Sequence, residues 1–373
     1  MSSRALDVGE PAPWFHCRTQ ANPKYAFDTV AGRYVVLCFF GSAGHPLAAE
    51  VLADFARQRQ HFDDHNASFF GISIDPEDER QQRIGDRLPG QRFFLDFDQA
   101  VSRLYGVQGS DGQYRPVTLL LDPRLRILAI LPIGQVAGHV AKVINLLHRL
   151  PPVPSVAAAV PQAPVLVVPH VFESDLCRRL IDCYEQHGGF ESGFMQERDG
   201  MTVTVHQHSH KRRRDHIIDD EEIRAICLDR IRRRLLPEIH KAFQFSTSHI
   251  ERYLVACYDA EESGHFRAHR DNTTKGTAHR RFAVSLFLNS GAYEGGFLRF
   301  PEFGNSLYSA PTGGAVVFSC SLLHEATAVT RGKRYMFLPF LYDEAARRVR
   351  EENRQYLEDS GDVQARRPED GSR

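Results

Sequence analysis

Two kinds of apolar patterning run along this chain, and they change near its middle. In the first half, continuous apolar runs alternate with amphipathic ones. "RYVVLCFF" (33–40) is β-branched and aromatic throughout, as expected of a strand buried on both faces. "HPLAAEVLADFARQRQHF" (45–62) then places apolar residues at helical spacing. "ASFFGISI" (67–74) predicts a second strand, "DPEDERQQRIGDRL" (75–88) a charged helix, and "PVTLLLDP" with "RILAILPI" a hairpin around Pro123-Arg124. Alternating strands and helices closed by a hairpin predict an α/β sheet of mixed direction.

After residue 170 the pattern differs. "ESDLCRRLIDCYEQHG" predicts a helix capped by Ser174 or Asp175 and ended by Gly188-Gly189, and "DDEEIRAICLDRIRRRLLPEIHKAF" one or two more. From Ile250 onward short strands separated by Gly, Asn and Pro dominate, including "IERYLVACY", "RFAVSLFLN", "AVVFSC" and "KRYMFLPFLY". Such spacing predicts a small sandwich or jelly roll. Between the halves, "LPPVPSVAAAVPQAPVLVVP" holds six prolines and reads as a semi-rigid linker. The expected divisions are 1–149, a linker at 150–169, a second domain at 170–345 and a charged tail at 346–373. The fold class is two-domain, α/β followed by α+β with flanking helices.

Composition narrows the function classes. The 373 residues carry a formal net charge of −1, which gives no pull toward nucleic acid or anionic membrane. No apolar run reaches the roughly 20 residues that span a bilayer, and "MSSRALDVGEPAPWF" lacks the apolar core of a secretory signal. The seven cysteines include no CxxC, and their odd number argues against a disulfide framework. A reducing cytoplasm is the expected compartment.

The first half resembles the peroxiredoxin branch of the thioredoxin fold in "GEPAPWFHC", "VVLCFFGSAGHPLAAEV", "FFGISIDPEDE" and "FLDFDQAVSRLYGVQ". That family places a Pro-x-x-x-Thr-x-x-Cys loop at a helix start, where the dipole favours the thiolate that attacks peroxide. Here the loop is "GSAGHPLAA": Gly41 stands at the proline position, His45 near the threonine and Ala48 near the cysteine. Cys17 and Cys38 lie elsewhere. The expectation is a redox-inactive domain used for packing, partner binding or homodimerisation. A thiol peroxidase with an accessory β domain is the alternative reading, and a non-catalytic scaffold is a second one.

In the second half, His269 and Asp271 end a strand-like run, and residues two apart on a strand share a face. In a chain with 18 histidines that pair alone means little. His324 in "FSCSLLHEATAV" and Arg334 ten residues later complete an ordered set. With Tyr258, Gly264, Phe266, "LFLN", "GGFLRFPEFG" and "PTGGAVVF", the set resembles the Fe(II)- and 2-oxoglutarate-dependent dioxygenases of the prolyl 4-hydroxylase-like branch. The resemblance implies a double-stranded β-helix (jelly roll) domain. His269, Asp271 and His324 would be the catalytic Fe(II) ligands, a facial triad that leaves sites for a keto acid and O2. Arg334 would clamp the far carboxylate of 2-oxoglutarate. The implied reaction is hydroxylation of an unactivated C–H bond with succinate and CO2 as co-products, ascorbate being a candidate reductant. Substrates from peptidyl side chains to small metabolites stay open.

Several neighbours remain two-sided at this stage. Tyr258 is expected to face the pocket and bind cosubstrate, though an aromatic there also suits a core. Phe287 stands where many relatives have a tyrosine, so the clamp leans on Arg334. By resemblance Asp215 and Arg280 are substrate-side residues that would pair at the pocket mouth; solvated surface charges suit them equally. "HQHSHKRRRDH" (206–216) reads as a mobile charged loop, with a second metal site, a nucleic-acid patch or a lid for an anionic substrate as alternatives, and His265 and His279 read as incidental.

Overall fold

The computed structural model describes residues 6–157 and 162–357. It divides into two compact units, Met1–Ala158 and Ala159–Arg373. No helix among the described residues is long and apolar enough to cross a membrane.

The first unit is built on a five-stranded sheet in the order Gln91–Leu95, Ala67–Ser73, Tyr34–Gly41, Val117–Leu121, Ile127–Pro132. The first three strands are parallel and the last two antiparallel, as the late hairpin predicts. Every residue of Tyr34–Gly41 is buried because the sheet is covered on both faces. Val36, Cys38 and Phe40 pack on one side with Val51 and Phe55 of the helix Pro46–Arg57, while Val35, Leu37 and Phe39 pack on the other with Phe70 and Phe94. The helix expected over 75–88 stops at Arg80. Asp75 caps it, and Gln82 already adopts a left-handed φ of 53°.

The second unit carries a nine-stranded and a five-stranded sheet, both antiparallel. Alternation along Leu254–Asp259 sets the two faces. Val255 and Cys257 join a core with Leu180 and Ile231 from the helical layer, and Leu254, Ala256 and Tyr258 turn to the inner core with Phe287, Phe318 and Met336. The helical layer includes Ser174–His187, Glu221–Arg230 and Leu236–Phe243, the last two joined by a π-helical turn at Ile231–Leu235.

Four expectations are corrected. Glu173, not Ser174 or Asp175, occupies the first helix's cap position, and its carboxylate instead accepts from Arg230 and Arg234. The proline-rich stretch is not linker throughout: Leu166–Val168 forms a strand on Ala315–Ser319, because the apolar run before Pro169 can bury itself there. The tail expected from 346 begins as a helix, Glu344–Glu352, capped by Asp343, and Ala346 is buried; residues 358–373 lie outside the described residues. The single strand expected over 250–258 is broken at Arg252, whose φ is +59°.

Candidate metal centre

His269 ends the strand His265–His269, and His324 opens the antiparallel strand His324–Ala326 directly opposite it. Asp271, two residues on, is held by its backbone N–H donating to the Cys320 carbonyl. The register therefore brings together side chains more than fifty positions apart. His269 Nε2 lies 3.6 Å from one Asp271 oxygen and His324 Nε2 lies 3.4 Å from the other. One ligand atom from each residue falls within 4.8 Å of the others.

The tautomers follow from the hydrogen bonds. His269 Nδ1 faces the Arg267 carbonyl at 2.7 Å and His324 Nδ1 faces the Leu322 carbonyl at 3.0 Å. A carbonyl only accepts, so each Nδ1 carries a proton, which leaves Nε2 as the nitrogen available to a metal at the shared point. Burial, then repulsion from His269, pushes the His324 imidazole down to about 4, so it is neutral at pH 7. Burial alone would raise the Asp271 carboxyl, but the two histidines outweigh it and hold the acid below its ordinary range. Two neutral imidazoles and one carboxylate are the donor set of a facial non-haem iron site. A closed structural zinc site would need a fourth protein ligand, and the group contains three residues.

These ligands open into a cavity of about 280 Å³ that also holds Arg334. Arg334 pairs across the sheet with Tyr258, so both side chains enter from one face. It is 1% exposed, and its side chain, Nε included, makes no hydrogen bond or ion pair with the described residues. Aromatic faces hold it instead: its guanidinium carbon lies 4.9 Å from the Tyr258 ring and 5.2 Å from the Phe287 ring. Gly296, at φ +62°, leaves room for its stem, since a Cβ there would lie 2.6 Å from Arg334 Cδ. A buried cation with no protein anion is costly unless a ligand supplies one. The residues present thus fit both a divalent metal and a carboxylate-bearing cosubstrate.

The structure separates the two residues expected to pair. Asp215 is fully buried and accepts from Arg213 at 2.6 and 2.5 Å, whereas Arg280 donates to both oxygens of Glu251 at 2.9 and 2.6 Å. His279 is not incidental, for its Nε2 donates to the same Glu251 at 2.8 Å. The charged stretch 206–216 is not a loose loop throughout. Lys211–Arg212 and Arg214–Ile217 are strands, and Lys211, Arg213 and Asp215 are buried. Lys211 and Arg213 reach the cavity wall.

In the first unit the region matching the peroxidatic loop holds no thiol. Ser42 donates to Asp75 at 2.6 Å, the Ala43 amide donates to Asp78 at 2.8 Å, and Arg83 sits between both carboxylates. Burial pushes the thiols of Cys17 and Cys38 up to about 12.

Comparisons with known proteins fall on the same two regions. Residues 8–130 match the AhpC/TSA family, and residues 253–342 match the 2OG-Fe(II) oxygenase superfamily. No curated protein matches the chain. Similar solved structures include a prolyl hydroxylase from Trichoplax adhaerens in complex with a hypoxia-inducible-factor peptide: 17% identity, 50% of this chain and 86% of that one, TM-score 0.40. A Pseudomonas putida prolyl-4-hydroxylase is 19% identical over 55% of this chain and 99% of its own, TM-score 0.37. The Xanthomonas campestris bacterioferritin comigratory protein is 21% identical over 39% of this chain and 98% of its own, TM-score 0.32. The chain joins a domain of the AhpC/TSA family to a domain of the 2OG-Fe(II) oxygenase superfamily.

Proposed function

We propose that this protein is an Fe(II)- and 2-oxoglutarate-dependent dioxygenase that hydroxylates an unactivated C–H bond, with its two inner sheets closing as a jelly roll around the site. The observation that carries the reading is the convergence of His269, Asp271 and His324 on the cavity that also contains the unpartnered Arg334. His269, Asp271 and His324 would hold Fe(II), and Arg334 would take the far carboxylate of 2-oxoglutarate in a bidentate fork. When bound, the metal and keto acid supply the oxidising power for O2-dependent hydroxylation, with succinate and CO2 as co-products.

The protein's own part is positional. The Arg267 and Leu322 carbonyls fix both imidazoles in the metal-binding tautomer. Tyr258 and Phe287 confine the Arg334 guanidinium, so the clamp is ordered before cosubstrate arrives. The AhpC/TSA-family domain is read as redox-silent, since positions 41–48 contain no cysteine and the cysteines flanking them are protonated. The test is succinate formation from 2-oxoglutarate by the full-length protein with Fe(II) in air. Iron-dependent succinate that disappears with a chelator is expected; none above the metal-free background sinks the reading.

A further inference from the structure

The cavity wall is lopsided in charge. Lys211, Arg213, Arg252, Arg270, Arg280 and Arg334 all line it, and Asp271 is the one acid among the lining residues. Behind the wall, Glu251 offsets Arg280 and Glu302 offsets Arg270. Asp215 is bound to Arg213, but Lys211 stands beside the same group, its Nζ donating to Ser192 Oγ and to the Gly193 carbonyl at 2.7 and 2.5 Å. Burial, then the Arg213 charge, pushes the Lys211 ammonium well below its ordinary range, so it adds little charge to the wall. Arg334 is accounted for by the cosubstrate, and Arg252 is left over.

Arg252 is unusual in three independent ways. It holds a left-handed backbone, φ +59°, between the strands His249–Glu251 and Leu254–Asp259, a conformation a long side chain seldom takes. Its Nε donates to the Leu338 carbonyl at 3.0 Å, and its terminal nitrogens have no hydrogen-bond or ion-pair partner among the described residues. Its guanidinium carbon lies 4.2 Å from the Phe340 ring, against which Arg280 also packs at 4.1 Å. Two cations are therefore held around one ring. Burial, then the charges of Arg280 and Arg213, pushes the Arg252 guanidinium down to about 10, so it remains charged at neutral pH. A strained backbone that turns an unpaired cation into a reaction cavity serves packing poorly and suits recognition well.

We propose that the substrate hydroxylated at this site carries a carboxylate, and that Arg252 binds that group. The inference rests on the dioxygenase reading for the identity of the cavity and adds the class of substrate. A neutral side chain would leave the Arg252 guanidinium unmatched, whereas an acid supplies the charge that the wall lacks.

The test uses metal-free full-length protein and calorimetry, so no turnover is read. The cavity is first filled with 2-oxoglutarate and then titrated with a panel of four- to six-carbon monocarboxylic acids and their primary amides. At least one acid should bind on the order of tenfold more tightly than its own amide, as expected for a charge-assisted contact of about 1.4 kcal/mol or more. That preference should vanish in Arg252→Gln and persist in Arg252→Lys, both checked for unchanged circular dichroism. Arg334→Gln should instead weaken the first titration. Absence of acid binding, equal binding of acid and amide, or a preference that survives Arg252→Gln overturns the proposal. Failure of the dioxygenase reading is told apart by its own signature, loss of iron-dependent succinate formation with the acid preference intact.

Discussion

The two domains each bring a strand to an end where a family resemblance expects chemistry, and they treat that end differently. At Gly41–Ala48 the strand feeds a helix start, the place where an amide cluster and a helix dipole would favour a thiolate. Here the donors are already taken, by Asp75 from Ser42 and by Asp78 from Ala43, and Arg83 is engaged by both acids. At His269–Asp271 the reverse holds. Backbone carbonyls use up only the outer nitrogens of the two imidazoles, and the inner nitrogens converge with a carboxylate on a cavity. A site with its polar groups satisfied internally is finished as a fold; one that leaves lone pairs and a cation unsatisfied needs a ligand to complete it.

The largest expected effects test the unsatisfied side. Replacing His269, Asp271 or His324 by Ala removes a direct ligand. Changes one shell further out already cost 10–100-fold, so iron-dependent succinate formation should fall by at least about a hundredfold in each variant. A single variant retaining a tenth of the wild-type rate would remove that residue from the ligand set. Arg334→Gln comes next. Taking away one partner of a buried ligand–guanidinium pair costs about 2–5 kcal/mol, so the 2-oxoglutarate concentration for half-maximal rate should rise roughly 30-fold or more. Because the Arg334 side chain has no hydrogen-bond or ion-pair partner among the described residues, the same variant should keep or raise the thermal midpoint of the cosubstrate-free protein. A large fall in that midpoint would make Arg334 structural.

How much of this was legible in the sequence depended on contrast. The strand Tyr34–Gly41 and the inner face of Leu254–Asp259 stood out because apolar runs bounded by polar residues have one stable placement. The three residues proposed as ligands and Arg334 stood out through residue type and order, and Phe287 was visible as a missing hydroxyl. Lys211, Arg213 and Asp215 did not, since Arg212 and Arg214 between them are charged too and the inward positions have no contrast with the outward ones. Pairings over distance were equally hidden. Arg280 and Glu251 are joined by sheet register, which local pattern does not encode. The left-handed Arg252 left no trace, because the sequence around it reads as one strand.

Arg280 offers the paired counterpart to Arg334, and Glu251→Gln tests it. Burial would raise the Glu251 carboxyl, but the Arg280 charge and the hydrogen bonds from His279 and Arg280 outweigh it and hold the acid well below its usual range. Removing that charge leaves Arg280 buried without an anion. A cost of about 3 kcal/mol, discounted from the 3–5 typical of broken buried pairs because Gln keeps an acceptor, lowers the midpoint by roughly 6–12 °C. The depressed folded pKa fixes the sign with pH. The stabilisation is complete above the unfolded value of about 4.3 and fades as pH falls through the folded one. Variant and wild type should therefore converge in strong acid; a gap that widens there would contradict the pairing.

The smallest expected effect probes the first domain. Ala48→Cys places a thiol near the position the peroxiredoxin resemblance reserves for one, on a buried face of the helix's first turn. If a cysteine were all that is lacking, peroxide consumption would rise by orders of magnitude. The local charges argue otherwise. The carboxylates of Asp75 and Asp78 already hold the loop's donors and Arg83, so the positive surroundings that favour a thiolate are largely cancelled and burial favours the thiol. Peroxide consumption by the variant should stay within about threefold of wild type, with the new thiol titrating at or above the ordinary value of about 8.5. Adding Asp75→Asn and Asp78→Asn to the same chain frees the Ser42 hydroxyl, the Ala43 amide and Arg83 together. If those carboxylates are what quench the site, the triple variant should titrate lower than Ala48→Cys alone. An equal pKa in the two would place the cause in burial, and a fast single variant would show the pocket to be intact and only its sulfur missing.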